Sequence, residues 1–397
     1  MATNIDHSVK LLVVSPYYTP FAGVGANRMT SLTNYLSIDN SIEVTVVRND
    51  IRSYKNSITK DHSRSNISIH EVSPRDSFLR NAMLYKKEIN KLLRTNTFDC
   101  ILISVGPFYT LPLVQFIQNK FNIPVILDIR DYWANEPLSK DFEQGILYKV
   151  KNIIKDWFFQ KRAIKKAKVI VTMSEEDKSY LKQTYKTISF ININAIYNGF
   201  DDTLIDENKN YISDFQFKGK VVSVFGKFSE YMNYERLNSF CNALRIAKND
   251  LGSICFLQIG KSEKILSDLL EKNGIDYMST GYMDYSKGLN LLKHTSDVNL
   301  LSSDLVDTGY GTKFFDYIYC NKPILFVGNS NTFLFNKVRT FKYGYSCNNE
   351  SCIISVLNEI FDNNINVLDN NLDPYKFSRS YQNKKYKNLI NKIINNI

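Results

Sequence analysis

The sequence predicts an α/β protein of two doubly wound, Rossmann-like domains facing across a cleft. Three observations predict it. The chain has 397 residues, room for about two domains at roughly 100–200 residues each. Short apolar runs bounded by turns alternate with helical periodicity, the pattern of βαβ units and parallel sheets. That alternation stops over residues 196–217, where Asn, Gly and acidic residues show no period, and then restarts. The expected division is 1–197 and 198–375, with a terminal helix in 376–397 packing back toward the first domain.

The elements follow in order. Residues 10–15 (KLLVVS) read as a buried strand ending in the Pro/Gly-rich stretch SPYYTPFAGVG, with a helix at 26–36. Strands are expected at 43–47, 67–72, 100–104, 124–128 and 168–173, and helices at 80–93, 111–119 and 145–166. In the second half, strands are expected at 221–225, 254–259, 277–280, 297–301 and 323–327. Helices are expected there at 234–248, 262–272, 287–293 and 312–319. No element is assigned between 328 and 373. Apolar spacing at Tyr381, Tyr386, Leu389, Ile390, Ile393 and Ile394 predicts the last helix.

Composition excludes several classes. Apolar residues at 44% and charged residues at 23%, with nine Pro, do not fit a disordered or collagen-like chain. No apolar run nears the ~20 residues that span a bilayer, and the first residues hold no secretory apolar core. Cys100, Cys241, Cys255, Cys320, Cys347 and Cys352 form no C-x-x-C pair, so reduced core thiols are expected. The four His are dispersed and no D-x-D occurs, so no metal and no cofactor are expected. Net charge is +10 and uneven. Residues 1–197 carry 27 basic and 18 acidic residues, and 198–397 carry 23 and 22. Such an excess speaks of anionic partners rather than of fold. Residues 149–168 hold eight basic residues, one Asp, and the aromatics Trp157, Phe158 and Phe159. That helix suits an anionic membrane surface, and equally an apolar face on the sheet with its basic face in water.

In open parallel sheets, ligands lie outside the carboxyl ends of the strands. Four constellations stand there. Gly23 and Gly25 let backbone approach a ligand, and Arg28 on the next helical turn suits a phosphate or caps a neighbouring loop. Asp128, Arg130, Asp131 and Trp133 stand at the end of the fifth strand pattern. A carboxylate there would accept a hydroxyl proton and Arg130 would hold a phosphate, so Asp131 and Arg130 are the catalytic candidates, and Arg28 and Trp133 the acceptor-binding ones. Gly311, Thr312 and Lys313 gather helix N–H groups, a hydroxyl and an ammonium into an anion nest, with Asp316 one turn on to accept from ribose hydroxyls. Lys227, after the second domain's first strand, is a second phosphate ligand.

On these residues the chain resembles the GT-B-fold glycosyltransferases of family 4, and among them the bacterial surface-polysaccharide enzymes. SPYYTPFAGVGANRMTSLTNYLS, PVILDIRDYWANEP, KRAIKKAKVIVTMSEEDKSYL with IYNGFDD, and GYGTKFFDYIYCNKPIL carry the resemblance in order and spacing. It implies a retaining, metal-independent transfer from a nucleotide-diphosphate sugar to a saccharide acceptor, and the basic excess of the first half fits an acceptor carried on a lipid diphosphate. The enzyme would be cytoplasmic, at the inner face of the plasma membrane. Thr312, Lys313 and Lys227 would hold the diphosphate, Asp316 the ribose, and backbone near Gly281 and Tyr282 the base. Gly23 and Gly25 would approach the diphosphate or sugar. The sequence departs from the family's E-x7-E pattern at Thr308, with Asp307 adjacent. Two other readings of the residues are a sugar-nucleotide epimerase on the same fold and a basic nucleic-acid-binding protein. The second lacks any nucleic-acid module, so no nucleic acid is expected as a partner.

Overall fold

The computed structural model of the chain describes residues 8–38, 41–54, 60–131, 150, 153–186, 192–205, 217–304 and 309–395. Its contacts divide it into two compact units, Met1–Asn198 with Arg379–Ile397, and Gly199–Ser378.

The first unit's described strands are β1 (Val9–Val14), β2 (Ile42–Asn49), β3 (Ser68–Val72), β4 (Cys100–Val105), β5 (Val125–Ile129), β6 (Val169–Thr172) and β7 (Asn192–Ala195). They form one parallel sheet ordered β3-β2-β1-β4-β5-β6-β7. Between them run α1 (Val24–Leu36), α2 (Phe78–Thr95), α3 (Leu111–Phe121), a π-helical turn Asp156–Gln160 continuing into α4 (Lys161–Lys166), and α5 (Glu175–Thr184). The Ser174 hydroxyl caps α5 by accepting from the Asp177 N–H at 2.9 Å, and Glu175, Glu176 and Asp177 complement the helix dipole.

The second unit holds β8 (Lys220–Phe225), α6 (Tyr234–Leu251), β9 (Ile254–Ile259), α7 (Lys264–Lys272), β10 (Asp276–Ser279), α8 (Tyr285–Thr295), β11 (Val298–Ser303) and α9 (Thr312–Cys320). It continues through β12 (Ile324–Gly328), α10 (Phe333–Val338), β13 (Gly344–Cys347) and α11 (Glu350–Asp362). Its parallel sheet is ordered β10-β9-β8-β11-β12-β13. The final helix, α12 (Arg379–Ile394), belongs to the first unit.

The apolar strand runs are continuous because both faces of the first sheet are covered. Successive side chains of β1 go to opposite faces. Leu12 and Val14 pack with residues of α2 and α3, such as Tyr85, Ile89, Val114 and Ile117. Leu11 and Val13 pack with Met29 and Leu32 of α1 and with Tyr386, Leu389 and Ile390 of α12. All these residues are fully buried or nearly so. Truncating such a leucine to alanine costs about 2–5 kcal/mol.

Five elements lie beyond the pattern read from the sequence: α5, β7, α10, β13 and α11. The strands β7 (NINA) and β13 (GYSC) are short, partly exposed edge strands without an apolar alternation to betray them. One expectation is corrected. Cys347 and Cys352 are joined in a disulfide with their Cα atoms 5.5 Å apart. Cys347 ends β13 and Cys352 lies in the first turn of α11, so the strand-to-helix turn brings them together. Cys100, Cys241, Cys255 and Cys320 are buried free thiols. No described helix is long and apolar enough to cross a membrane.

Candidate functional site

Both sheets reverse their strand order once, between β1 and β4 and between β8 and β11. The crevice beyond the carboxyl ends of strands at such a reversal is where doubly wound sheets take ligands. The candidate residues cluster at these two places.

In the second unit, β8 and β11 pair only at Val222–Val298 and Ser223–Asn299. Past that point Tyr317 of α9 fills the gap. Its hydroxyl accepts from the Phe225 N–H at 3.0 Å and donates to the Leu300 carbonyl at 2.9 Å. Helix α9 is thereby tied to the reversal point. Its start is anchored by Tyr310, whose ring lies 4.8 Å from that of Phe314 and 4.8 Å from that of Phe333. Gly311 is the N-cap and supplies no side-chain cap, which leaves N–H groups of the first turn for an anion.

Lys313, in that first turn, reaches back to β8. Its ammonium donates to the Lys227 carbonyl and lies 5.1 Å from the centre of the Tyr231 ring. Burial pushes its pKa down to about 8, against the pull of Glu263, Glu230 and Asp316 and with the help of Lys227. Gly226 has φ +82°, a left-handed conformation that favours glycine, and a Cβ there would come 3.6 Å from the Lys313 side chain. The Lys227 ammonium is exposed and pairs with Glu230 at 2.7 Å, which pushes its pKa up. Asp316 is buried and accepts a hydrogen bond from the Tyr285 hydroxyl at 2.6 Å. Tyr282 is 89% exposed. The structure thus gathers Gly311, Thr312, Lys313 and Lys227 at one strand end and puts Asp316 on the next turn. Among the described residues no contact joins Tyr282 to that group.

One residue here carries no sequence signal. The Glu263 carboxylate accepts from the Phe228 N–H at 2.6 Å, the Ser229 N–H at 3.3 Å and the Glu230 N–H at 3.3 Å. The Ser229 hydroxyl and the Gln258 amide add bonds at 2.8 and 2.9 Å. Backbone N–H groups after β8 that would suit a phosphate are held by an internal anion. An outside anion is left with the Lys313 and Lys227 side chains and the start of α9.

In the first unit, three strand ends converge. Arg130 follows β5, Gly106 follows β4, and Gly25 opens α1 after β1. The Arg130 guanidinium donates to the Gly106 carbonyl at 3.0 Å. It occupies the place a Cβ on Gly25 would take, so Gly25 is required by Arg130. The Arg130 Nε is buried without a hydrogen-bond partner among the described residues. Asp131 is exposed beside this group. In the sequence, Gly106 is signalled only by a Gly-Pro pair directly after an apolar run.

Arg28 is turned inward, to the second of its two expected places, a neighbouring loop. It is 4% exposed. Its guanidinium donates to Asp128 at 3.1 and 3.3 Å, to the carbonyls of Tyr197 and Ile196 at 2.8 and 2.9 Å, and to the Tyr386 hydroxyl at 2.8 Å. A contact to Asn198 at 3.3 Å completes the set. Asp128 is its partner. The residue lies within β5, fully buried, and also accepts from the Tyr386 hydroxyl at 2.7 Å. A buried ion pair needs its remaining polar atoms satisfied, and here backbone carbonyls and Tyr386 satisfy them. Gly23 is the N-cap of α1, and a Cβ there would press on the Phe21 ring at 2.6 Å. Trp133, Asp307 and Thr308 lie outside the described residues.

The sequence matches no protein-family model and no curated protein. Solved structures do match over nearly the whole chain. Sucrose-phosphate synthase from Thermosynechococcus elongatus superposes with a TM-score of 0.70 at 11% identity, over 98% of this chain and 100% of that one. A glycosyltransferase from Rickettsia africae gives 0.65 at 14% identity, over 98% and 100%. The UDP-GlcNAc 2-epimerase from Methanocaldococcus jannaschii gives 0.58 at 11% identity, over 97% and 100%. The fold is of the GT-B type. Its neighbours are glycosyltransferases and UDP-GlcNAc epimerases.

Proposed function

We propose that this GT-B protein is a glycosyltransferase that moves a sugar from a nucleotide-diphosphate donor to a saccharide acceptor, with retention at the anomeric carbon. The observation that carries the reading is the placement of Lys313. A partly buried ammonium in the first turn of α9 stands against the Gly226–Lys227 turn, where the second sheet reverses its order. The leaving diphosphate gathers negative charge as the glycosidic bond breaks. Preorganised cations and N–H groups aimed at that charge are the largest kind of stabilisation such a site supplies. Lys313, the exposed Lys227 and the open N-terminus of α9 would do so, and the reading calls on no metal ion. Asp316 would accept from the ribose hydroxyls, and Tyr282 would lie by the base.

The first unit would hold the acceptor. Arg130, fixed by Gly25 and Gly106 with its Nε unpartnered, would anchor an acceptor anion. Asp131 beside it would take the proton of the attacking hydroxyl. Supporting an acceptor carried on a lipid diphosphate is the basic excess of residues 1–197. The setting is the cytoplasmic face of a bacterial membrane, in cell-surface polysaccharide synthesis.

A thermal-shift panel of UDP-, GDP-, dTDP- and CMP-sugars tests the donor. At least one nucleotide should raise the melting temperature, and no response to any would sink the assignment. Because epimerases share the fold, the stabilising donor is then incubated alone and followed by NMR. An unchanged sugar supports transfer, and conversion to its epimer overturns it.

A further inference from the structure

The Cys347–Cys352 disulfide lies at the edge strand β13, two strands from β11 at the reversal of the second sheet. Contacts within the second unit nevertheless run from it to Lys313. The turn 228–233, which carries Tyr231, is held at both ends. Glu263 takes the N–H groups at its start. At its end the Asp304 carboxylate accepts from the Asn233 N–H at 2.8 Å, and the Asp304 N–H donates to the Tyr231 carbonyl at 2.8 Å. Asp304 is held in turn by Arg236 of α6, whose Nε donates to the other carboxylate oxygen at 2.6 Å. The same guanidinium donates through Nη1 to the Asn348 carbonyl at 2.8 Å. Asn348 directly follows Cys347, inside the segment CNNESC that the disulfide closes into a ring. At the far end of this relay the Tyr231 ring centre lies 5.1 Å from the Lys313 ammonium.

The disulfide is the link that a thiol can open. Cys352 is half-buried and Cys347 fully buried, so an attacking thiolate meets the Cys352 sulfur. Cys352 lies in the first turn of α11, where the helix dipole favours its thiolate once the bond is open. The remaining cysteines do not compete. Burial pushes the pKa of Cys100 and Cys241 up to about 12, that of Cys255 to about 11, and that of Cys320 well above its usual value. Asn348 and Asn349 are exposed. A cleft of about 260 Å³ lined by Asn233, Arg236, Asn348, Asn349 and Glu350 gives their loop room to move when the bond opens. In the cytoplasmic setting proposed above thiols are kept reduced, and a disulfide there is a transient, redox-sensing bond.

We propose that Cys347 and Cys352 form a thiol–disulfide switch on nucleotide binding: the closed bond fixes Asn348, Arg236 and Asp304 and so holds the Tyr231 turn against Lys313, and reduction releases it. The proposal rests on the donor site proposed for Lys313. Closing the switch takes a small disulfide such as oxidised glutathione. One cysteine thiolate attacks it and forms a mixed disulfide, releasing one glutathione, and the second cysteine sulfur then displaces the other. The protein's S–S bond forms as that of glutathione breaks. The two cysteine protons end on the two glutathione thiols, so cysteine is oxidised and glutathione reduced. An excess of dithiol runs the exchange backward.

The test compares the full chain treated with oxidised glutathione and the full chain treated with dithiothreitol. Thiol titration in denaturant should count four free thiols in the first and six in the second. UDP affinity by calorimetry should be lower in the reduced chain by about fivefold or more, the scale of coupling between linked sites. Amide hydrogen exchange over residues 229–236 should be faster in the reduced chain, with or without UDP. The reduced wild-type chain carries no substitution, so this comparison does not depend on a variant's folding. Cys352→Ser should match the reduced chain under both treatments. Arg236→Met should still close the bond, yet bind UDP equally weakly in both states, because the relay is cut. Six free thiols after oxidised glutathione would overturn the proposal. So would equal exchange rates in the two states, an equal and measurable UDP affinity in both, or a redox response that survives in Arg236→Met. UDP binding to neither state would sink the donor site instead, and the exchange rates would then judge the switch by themselves.

Discussion

The carboxylate of Glu263 holds the Phe228 N–H at 2.6 Å and, with it, the whole turn after β8. The same turn offers the Lys227 carbonyl to the Lys313 ammonium. Glu263 thus sets the place of a cation it does not touch. Glu263→Gln keeps the size and removes the charge that three N–H groups converge on. Hydrogen bonds to charged groups contribute about 1.5–3 kcal/mol. Urea unfolding should show a loss within that range, and UDP binding by calorimetry should weaken in parallel. Loss of stability with unchanged UDP affinity would confine Glu263 to a structural role.

Arg28 makes the opposite case, a suspected ligand contact turned inward. Breaking a buried pair by removing one partner costs about 3–5 kcal/mol, because the other charge is left uncompensated. Arg28→Met should therefore destabilise the chain by about that amount. Tyr386→Phe leaves the pair but strips one bond from each member, so it should cost about 1–2 kcal/mol. Denaturant melts measure both. An Arg28→Met protein of wild-type stability would return Arg28 to the list of ligand contacts.

The legible parts of the molecule are those where one residue's neighbours in sequence determine its surroundings. Residues 254–259 (ICFLQI) read as a buried strand and are one, because six apolar or fully buried positions in a row have only the sheet interior to occupy. Lys313 is legible as a helix-start cation because Gly311 and Thr312 mark the helix start. Arg28 misleads because its partner Asp128 lies 100 residues away and nothing local shows which way the guanidinium turns. Glu263 is silent for a related reason. Its partners are backbone N–H groups, which every sequence has. Cys347 and Cys352 become a pair only once β13 and α11 are recognised as a strand and a helix joined by a tight turn.

Gly25 and Arg130 test the first unit. A methyl group on Gly25 would fall within the Arg130 guanidinium, which must then leave the Gly106 carbonyl. Displacing a positioning group by about 1 Å can cost about 100-fold in rate. Gly25→Ala should leave donor binding intact and lower kcat of the transfer reaction toward that limit. Arg130→Lys, which shortens the side chain and loses the planar fork, should do the same. Arg130→Lys added to Gly25→Ala should cost little further, because both changes remove one contact. Additive losses would separate the two residues.

The pH dependence of nucleotide binding follows from Lys313. Burial holds its pKa near 8, below the usual lysine range, so the ammonium is largely charged at pH 7 and largely neutral above pH 9. A bound diphosphate favours the charged form and raises that pKa in the complex. Binding is therefore accompanied by proton uptake once the pH passes about 8. Affinity for UDP should be level from about pH 7 to about pH 8, with the phosphates ionised throughout. It should then fall by up to tenfold per pH unit until the pKa of the complex is reached. Lys313→Met should bind UDP about 10–100-fold more weakly at pH 7, the worth of one charge-assisted contact. Its affinity should also be level across the range, because the titrating group is gone. Calorimetry in two buffers of different ionisation enthalpy reads the proton uptake directly. A wild-type affinity without a slope near pH 8, or a slope that survives in Lys313→Met, would place the diphosphate on some other cation.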